Sequence, residues 1–170
     1  MILEAVLPCF SGRKKSPWPR LRHIIHPRSA RFLLTIRRSR IHRLGVFAAE
    51  LIPAGEKVIE YTGERITRKK ALERQNKSWV QGRPKPVYFF RLSRNWELDG
   101  AVGGSGAELI NHSCDPNLSR RRIRGHIFFF SRKTIQVKGE LTLDYRFPKN
   151  APKIPCRCGS RNCRGIINRK

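Results

Sequence analysis

Three cysteines near the C-terminus restrict what this chain can fold into more than any other feature. Cys156, Cys158 and Cys163 lie within eight residues of a tail rich in glycine and arginine, which holds too few apolar residues for a packed core. A structural zinc site is tetrahedral, with cysteine sulfurs about 2.3 Å from the metal, so it needs a fourth ligand. Cys114 is the natural donor elsewhere in the sequence. The spacing therefore predicts a zinc site formed by the tail and one cysteine of the preceding domain.

Disulfide bonds or free thiols are the alternative uses of these cysteines. Disulfide frameworks are typical of small secreted domains, whereas the N-terminus carries Glu4 and no basic leader of the kind that opens a signal peptide. Cys156 and Cys158, one residue apart, would also form a strained pair. The spacing favours zinc, and Cys9 is left as an unpaired thiol.

The length and composition fit one domain. A chain of 170 residues with 39% hydrophobic content can bury one core and leaves no room for two. No apolar run approaches the roughly 18 residues that a membrane-spanning helix requires. These features predict a soluble, intracellular protein that makes no membrane contact, and we expect a monomer.

The net charge of +25 is concentrated at the two ends of the chain. Residues 1–43 hold 11 Lys and Arg against Glu4 alone, and residues 146–170 hold eight with no acid. Basic arms of this kind suit a polyanion such as DNA or RNA, and the pI of 11.4 exceeds the value of about 9 at which nucleic-acid binding is suspected. The charge predicts non-specific nucleic-acid contact, with a merely solubilising surface as the alternative. We interpret the basic run at 120–125 as an exposed hairpin turn rather than a dedicated site.

Several motifs occur in an order that resembles one family. An Asn-His-Ser-Cys-Asp-Pro-Asn string at 111–117 is followed by Glu-Leu-Thr-Leu-Asp-Tyr at 140–145 and then by the cysteines of the tail. Upstream lie Arg-Leu-Gly-Val-Phe at 43–47 and Glu-Tyr-Thr-Gly-Glu at 60–64. This ordered set resembles the SET-domain protein-lysine methyltransferases, and the tail resembles the subgroup with a post-SET zinc cluster.

The resemblance implies a mainly β fold of the α+β type, with small curved sheets, one or two short helices and a knot-like crossing of the 111–117 and 140–145 segments. It divides the chain into a basic, flexible arm at 1–31, a SET domain at 32–147 and a post-SET zinc-binding tail at 148–170. Residue patterns add strands and one helix. The strands are predicted at 32–36, 57–61, 87–92, 126–131 and 141–145, the helix from Thr67 to about Lys77, and a turn of helix before Asn111.

The resemblance also implies the chemistry, which is methyl transfer from S-adenosylmethionine to a lysine ε-amine. Tyr145 is implied as the catalytic residue, and Tyr88 as a second wall of an aromatic channel that lowers the lysine pKa by desolvation. Arg157, between two cysteines, is expected to close over the adenosine, which would give the zinc a role in cofactor binding. The implied cofactor-binding residues are His42, Leu44, Gly45, Tyr88, Asn111, His112 and Arg157.

The chain departs from the family pattern at several positions. Arg43 stands where the family usually has the first glycine of Gly-x-Gly, and Leu143 stands where it usually has the Tyr or Phe that restricts the number of methyl groups added. The leucine predicts di- or trimethylation. Ser105, Glu108 and Leu109 replace an Asn, an Arg and an aromatic residue. These changes keep open a second hypothesis, a zinc-stabilised basic module that binds nucleic acid without transferring methyl groups.

The substrate is predicted only by analogy with the family. A lysine in a histone or histone-like nucleoid protein is the first expectation, and a ribosomal or other non-histone protein is the alternative. The corresponding locations are the nucleus and its chromosomes, or the bacterial cytoplasm and nucleoid. Because a strongly cationic enzyme repels a free cationic peptide, we expect more activity on DNA-bound protein.

Overall fold

The computed structural model describes residues 24–77, 79–80, 83–84 and 88–169. Most of these residues belong to strands and loops, with a single α-helix in the described part of the chain. The elements in chain order are β1 (Leu34–Arg38), β2 (Leu44–Ala48), β3 (Lys57–Tyr61), β4 (Glu64–Thr67), α1 (Arg68–Lys77), β5 (Trp79–Val80), β6 (Arg83–Pro84), β7 (Phe89–Arg91), β8 (Trp96–Asp99), a 3₁₀ helix (Ala107–Leu109), β9 (Asn111–His112), β10 (Leu118–Ile123), β11 (His126–Ser131) and β12 (Thr142–Leu143).

The strands form small separate sheets. In the described residues the orders are β1-β2, β10-β11-β3, β4-β8-β7, β5-β6 and β12-β9. The last pair is parallel and the others are antiparallel. Small sheets with one α-helix and one 3₁₀ turn confirm the mainly β fold predicted from the sequence.

The hydrophobic core lies between β2, β3 and β11. Val46 in β2, Val58 in β3 and Phe129 in β11 are at most 1% exposed. Burial of each such side chain stabilises the fold by about 1.5–3 kcal/mol. Phe129 also contacts the rings of Tyr61 and Phe90, with centroid distances of 6.0 and 5.8 Å. This aromatic cluster joins the β10-β11-β3 sheet to the sheet that contains β7.

The two segments that were expected to cross lie side by side as the parallel pair β9-β12. Thr142 is the register partner of Asn111. Asn117 fixes the arrangement, because its Oδ1 accepts a hydrogen bond from the Thr142 N–H and its Nδ2 donates one to the Glu140 carbonyl, both at 2.8 Å. These strands are too short for a long series of backbone hydrogen bonds. The bonds from the Asn117 side chain to the backbone fix their relative position instead.

Residues 24–31, which the sequence assigned to the N-terminal arm, are bonded to the domain. The Arg31 N–H donates to the Val58 carbonyl and the His26 N–H donates to the Ser105 carbonyl, each at 2.9 Å. The chain therefore packs on the domain from residue 24 onward, and residues 1–23 of the predicted arm lie outside the described residues.

The predicted elements agree with the structure where local sequence is decisive. The helix follows Thr67, whose Oγ1 accepts a hydrogen bond from the Lys70 N–H at 3.2 Å, as an N-cap residue should. The strands β3 and β11 have the predicted bounds. The predicted strand at 141–145 is shorter, because only Thr142–Leu143 has a partner and Arg146 adopts a left-handed φ of 53°.

The ten-residue α1 is rich in Lys and Arg. No helix among the described residues is long and apolar enough to cross a membrane.

Candidate active site and cysteine cluster

The side-chain amide of Asn111 connects the start of β2 to the segment before β12 by hydrogen bonds. Its Nδ2 donates hydrogen bonds to the carbonyl oxygens of Leu44 at 2.9 Å and His42 at 3.3 Å, and to Glu140 Oε1 at 2.8 Å. A Cβ on Gly45 would lie 2.4 Å from the same Glu140 oxygen and 3.0 Å from Asn111 Nδ2. Gly45 is therefore required for this close approach. Three of the predicted cofactor-binding residues, His42, Leu44 and Asn111, meet at one place.

Arg43 occupies a backbone position that suits glycine. Its φ is 43°, in the left-handed region that L-residues other than glycine adopt at a cost of roughly 1–2 kcal/mol. The chain thus keeps a glycine-like conformation at the position where the family pattern has glycine. The side chain is exposed, and its positive charge lowers the pKa of Tyr88, although burial outweighs this and raises that pKa overall.

Tyr145 lies beside β9. Its hydroxyl donates a hydrogen bond to the Ile110 carbonyl at 2.8 Å, and its N–H donates to His112 Nδ1 at 3.2 Å. The residue is half-buried, with its hydroxyl end surrounded by protein, and this burial together with Tyr88 and Glu140 raises the pKa of the phenol. The phenol is therefore neutral at physiological pH. Its oxygen can still accept a hydrogen bond, because a hydroxyl has acceptor lone pairs besides its one proton.

The backbone of Tyr88 is held in place by a side chain of β3. The hydroxyl of Tyr61 donates a 2.5 Å hydrogen bond to the Tyr88 carbonyl. Burial raises the pKa of Tyr88, and Glu108 raises it further. Since Tyr88 also raises the pKa of Tyr145, the two predicted site tyrosines lie within electrostatic range of each other.

Two half-buried carboxylates near these tyrosines have no cationic partner among the described residues. Glu140 accepts hydrogen bonds from Asn111 and, at 2.7 Å, from the Ser39 hydroxyl. Glu108 accepts one from the Gly106 N–H at 2.9 Å, and burial raises its pKa. These two carboxylates place negative charge at a site that the cations Arg43 and Arg157 also approach.

The four predicted zinc ligands come together. One sulfur atom from each of Cys114, Cys156, Cys158 and Cys163 lies within 4.8 Å of all the others. The sulfur of Cys114 is 3.7 Å from that of Cys156 and 4.0 Å from that of Cys163. Tetrahedral zinc with bonds of about 2.3 Å places its sulfurs about 3.8 Å apart. The cluster therefore has the dimensions of a zinc site.

Backbone donors also suit the cluster to a metal. The Arg164 N–H donates to the Cys114 sulfur at 3.3 Å, and the Cys114 N–H donates to the Cys158 sulfur at 3.5 Å. Burial raises the pKa of Cys114 and of Cys156, whereas at Cys158 hydrogen bonds from Cys114 and Ser160 outweigh burial and lower the pKa to about 5. A thiolate is the form of cysteine that binds zinc.

An ion pair connects the cysteine cluster to the tyrosine site. The Arg164 guanidinium donates two hydrogen bonds to the carboxylate of Asp144, at 2.9 and 3.1 Å. Burial opposes ionisation, but Arg164 lowers the pKa of Asp144 below its ordinary value. Asp144 directly precedes Tyr145, and Arg164 directly follows Cys163. The ion pair thereby links the cysteine tail to the segment that carries Tyr145.

The remaining predicted residues divide into two cases. Arg157 is exposed, and it is close enough to His42 that its charge, after burial and Arg43, lowers the histidine pKa. His112 is buried, and both of its ring nitrogens face protein atoms. Its Nδ1 accepts the hydrogen bond from the Tyr145 N–H, and its Nε2 is 3.5 Å from the Cys114 sulfur. Sequence reasoning did not select Glu140 or the Asp144–Arg164 pair as site residues. Their only signal was position in the sequence, since Glu140 directly precedes Leu141 and Arg164 directly follows Cys163.

Comparison with known proteins matches this arrangement to one family. The SET-domain family profile matches residues 43–146. A histone-lysine N-methyltransferase of Schizosaccharomyces pombe, described as H3 lysine-4 specific, is 42% identical over 134 residues, which cover 76% of this chain and 14% of that protein. The histone-lysine N-methyltransferase trithorax of Drosophila melanogaster is 38% identical over 135 residues, covering 77% of this chain and 4% of that protein.

A solved structure also has a fold similar to that of this chain. The crystal structure of an active polycomb repressive complex 2 in the stimulated state has a TM-score of 0.66 and 30% identity, over 72% of this chain and 16% of that chain. The chain thus spans only a small part of the length of these relatives.

Proposed function

Because the chain belongs to the SET-domain family, we propose that it transfers a methyl group from S-adenosylmethionine to the ε-amine of a protein lysine. The convergence of Tyr145, Tyr88 and the Asn111 network is the observation that carries this proposal. The relatives named as histone-lysine N-methyltransferases support the reaction class.

The hydrogen-bond acceptors around Asn111 suit S-adenosylmethionine. The carbonyl oxygens of His42 and Leu44 each keep a lone pair that can accept from the cationic amino group of the methionine end. Asn111 offers Oδ1, since its Nδ2 is already engaged, and Glu140 adds negative charge nearby. The cofactor supplies an activated methyl group on a sulfonium. Gly45, Tyr88, His112 through its backbone, and Arg157 complete the proposed cofactor-binding set.

Tyr145 and Tyr88 act on the lysine in this proposal. Methyl transfer needs the neutral amine, whereas free lysine has a pKa near 10.4, so the channel must desolvate the side chain. The phenol oxygen of Tyr145 can accept a hydrogen bond from the amine and align it, because the phenol stays neutral. Tyr88 forms the second wall.

We assign Zn²⁺ to the four cysteines, with a structural role. The metal would hold the tail against the body, and Arg157, near His42, would cover the cofactor. Cofactor affinity should therefore depend on zinc.

The buried Leu143 supports addition of two or three methyl groups. It lacks the hydroxyl that could hold a water molecule and limit the product. Counting methyl groups by mass spectrometry on a modified substrate tests this, and a product that stops at one methyl group would refute it. Leu143→Tyr should shift the wild-type product toward monomethylation.

We propose a histone or histone-like nucleoid protein as substrate, with a ribosomal or other non-histone protein as the alternative, and a location at the chromosome, in a nucleus or a bacterial nucleoid. The basic ends of the chain support accompanying nucleic-acid contact, and we expect the protein to act as a monomer. DNA-bound substrate should react faster than free peptide at low salt, and an unchanged or lower rate upon DNA addition would refute this tethering.

Two specific observations support the second candidate, a basic module without transferase activity. Glu108 places an unpaired carboxylate where the family pattern has arginine, and Arg43 is strained where it has glycine. The two candidates differ in their product on incubation of zinc-loaded protein with S-adenosylmethionine and core histones. The enzyme should produce methyllysine detectable by mass spectrometry, and Tyr145→Phe should reduce the rate by about 100-fold or more. No methyllysine on any protein of a whole lysate would support the inactive module.

A further inference from the structure

The hairpin of β10 and β11 presents arginines on an exposed edge. Arg120, Arg121, Arg122 and Arg124 are all exposed. Arg124 and Gly125 have φ values of 49° and 82°, which suit a two-residue hairpin turn. In the described part of the chain β10 pairs only with β11, so it is the outer strand of its sheet. The basic run is thus a strand edge with a turn at its tip, larger than the turn expected from the sequence.

These arginines have no carboxylate partner among the described residues, unlike Arg74 and Arg164. Two of them are held by aromatic rings instead. The Cζ of Arg121 lies 4.3 Å from the centroid of Phe130, and that of Arg120 lies 5.5 Å from the centroid of Phe90. Stacking of this kind orders the guanidinium group while leaving its N–H donors available.

Two further arginines, from segments that follow Tyr145 in the sequence, lie close to the same edge. Arg120 and Arg122 share one face of β10, because side chains alternate along a strand. Arg146 directly follows Tyr145, and the Arg169 N–H donates to the Phe147 carbonyl at 2.9 Å. Burial first, and then the charges of Arg146, Arg169 and Arg122, lower the pKa of Arg120, and they outweigh the opposing charge of Asp144. Like charges therefore accumulate here with only partial compensation by Asp144.

Protection of the strand edge does not account for the whole arrangement. Charged side chains on an outer strand prevent pairing with another chain, and one or two suffice. Arg146 directly follows Tyr145 and Arg169 lies near the end of the tail, so both are outside β10 and protect no part of its edge. An accumulation of guanidinium groups from three segments suits an extended anion.

We propose that Arg120, Arg122, Arg124, Arg146 and Arg169 form a binding surface for the phosphate backbone of duplex DNA, beside the catalytic tyrosine. Each guanidinium can donate two hydrogen bonds to a phosphate. Contact at this surface would bring a DNA-bound lysine toward Tyr145. The link to catalysis rests on the proposed function, whereas DNA binding is independent of it.

The test is the salt dependence of binding to a duplex of random sequence, measured by fluorescence anisotropy with zinc-loaded full-length protein. Each lost phosphate contact reduces the slope of log K against log salt by about 0.9. Arg122→Ala/Arg124→Ala should reduce the slope by about 1.8 and weaken binding at low salt by 10-fold or more. Arg68→Ala/Lys69→Ala removes the same charge from exposed positions of α1 and is the matched control, with a slope change below half of that.

Arg120→Gln provides a second variant, with an expected slope change of about 0.9. Equal losses in the hairpin and α1 variants would overturn the proposal, because binding would then follow total charge. An unchanged slope in the hairpin variant would overturn it as well, and so would competition by polyglutamate as strong as that by DNA. A protein that binds DNA as described but never transfers methyl groups would retain this surface and lose the proposed function.

Discussion

The body of the domain and the cysteine tail are held together by different means. The body, residues 34–143, has paired strands and a core of fully buried aliphatic and aromatic side chains. In the tail, residues 148–169, the only buried residue described is Asn168, whose amide bonds to the carbonyls of Pro148 and Ala151. A segment without an apolar core needs another source of free energy. We therefore expect the body to fold from its own packing, whereas the position of the tail should depend on the proposed zinc ion.

This difference matters because the proposed site takes residues from both regions. Tyr145, Asn111 and Tyr88 come from the body or its edge, and Arg157 comes from the tail. The body would recognise the two reactants, and the tail would cover the cofactor. Metal availability would therefore control cofactor affinity without unfolding the body.

Removal of zinc should have the largest effect, and it should affect the tail far more than the body. Chelation, or Cys158→Ser, should lower S-adenosylmethionine affinity by at least 100-fold and accelerate amide hydrogen exchange in residues 148–169, because structural zinc contributes about 10 kcal/mol or more to small sites. Exchange in β3 and β11 should change little. Cys9→Ser is the control and should behave as the wild type. An equal loss of protection from hydrogen exchange in tail and body would contradict the claim that the two regions are stabilised by different means.

Asn111→Ala should damage the body side of the site while leaving the tail intact. The substitution removes the donor of three hydrogen bonds and leaves Glu140 without it in a half-buried place. We expect a loss of about 3 kcal/mol in the free energy of unfolding and a loss of measurable cofactor binding. Urea denaturation and calorimetry measure the two effects. Zinc content should stay at one ion per chain, and a loss of zinc would contradict the prediction.

Asp144→Asn should loosen the junction between the two regions. Arg164 would keep its charge without its bidentate carboxylate partner. Docking of the tail should weaken by about 2 kcal/mol, seen as faster hydrogen exchange at residues 164–169 with the body unchanged. Lys133→Ala is a control, because it removes one partner of the exposed pair with Asp115. The same exchange pattern in both variants would refute the role of the junction.

Glu108→Gln should have the smallest effect, with a defined pH dependence. Burial raises the pKa of Glu108, so its contribution to stability is full below the unfolded pKa and is lost as the pH rises through the folded pKa. The carboxylate therefore destabilises the native state at neutral pH. The variant should have a higher urea midpoint than the wild type at pH 7, and the difference should vanish below about pH 4. A variant that is less stable at pH 7 would show that the carboxylate has a cationic partner in solution.

The sequence predicted the features that depend on local pattern or on spacing. The bounds of β3 and β11 follow from runs of aromatic and β-branched residues, and the grouping of the four cysteines follows from their spacing. β4 and β8 were missed, because Glu-Arg-Ile-Thr and Trp-Glu-Leu-Asp have mixed polarity and become strands through tertiary pairing, β4 with β8 and β8 also with β7.

The electrostatics of the site depended on contacts that no local pattern reveals. The bond between Asn111 and Glu140 joins residues 29 positions apart, and the hairpin arginines meet Arg146 and Arg169 only in three dimensions. Short motifs identify which residues are present, whereas the charge balance around them is a property of the fold.

Calorimetric titration of zinc-loaded and zinc-free protein with S-adenosylmethionine tests the division between body and tail most directly. We predict one binding site per chain in the zinc-loaded wild type, retention of binding in Tyr145→Phe, loss in Asn111→Ala, and an affinity at least 100-fold lower without zinc. Equal affinity with and without zinc would contradict the role of the tail, and no binding by the zinc-loaded wild type would contradict the proposed enzyme.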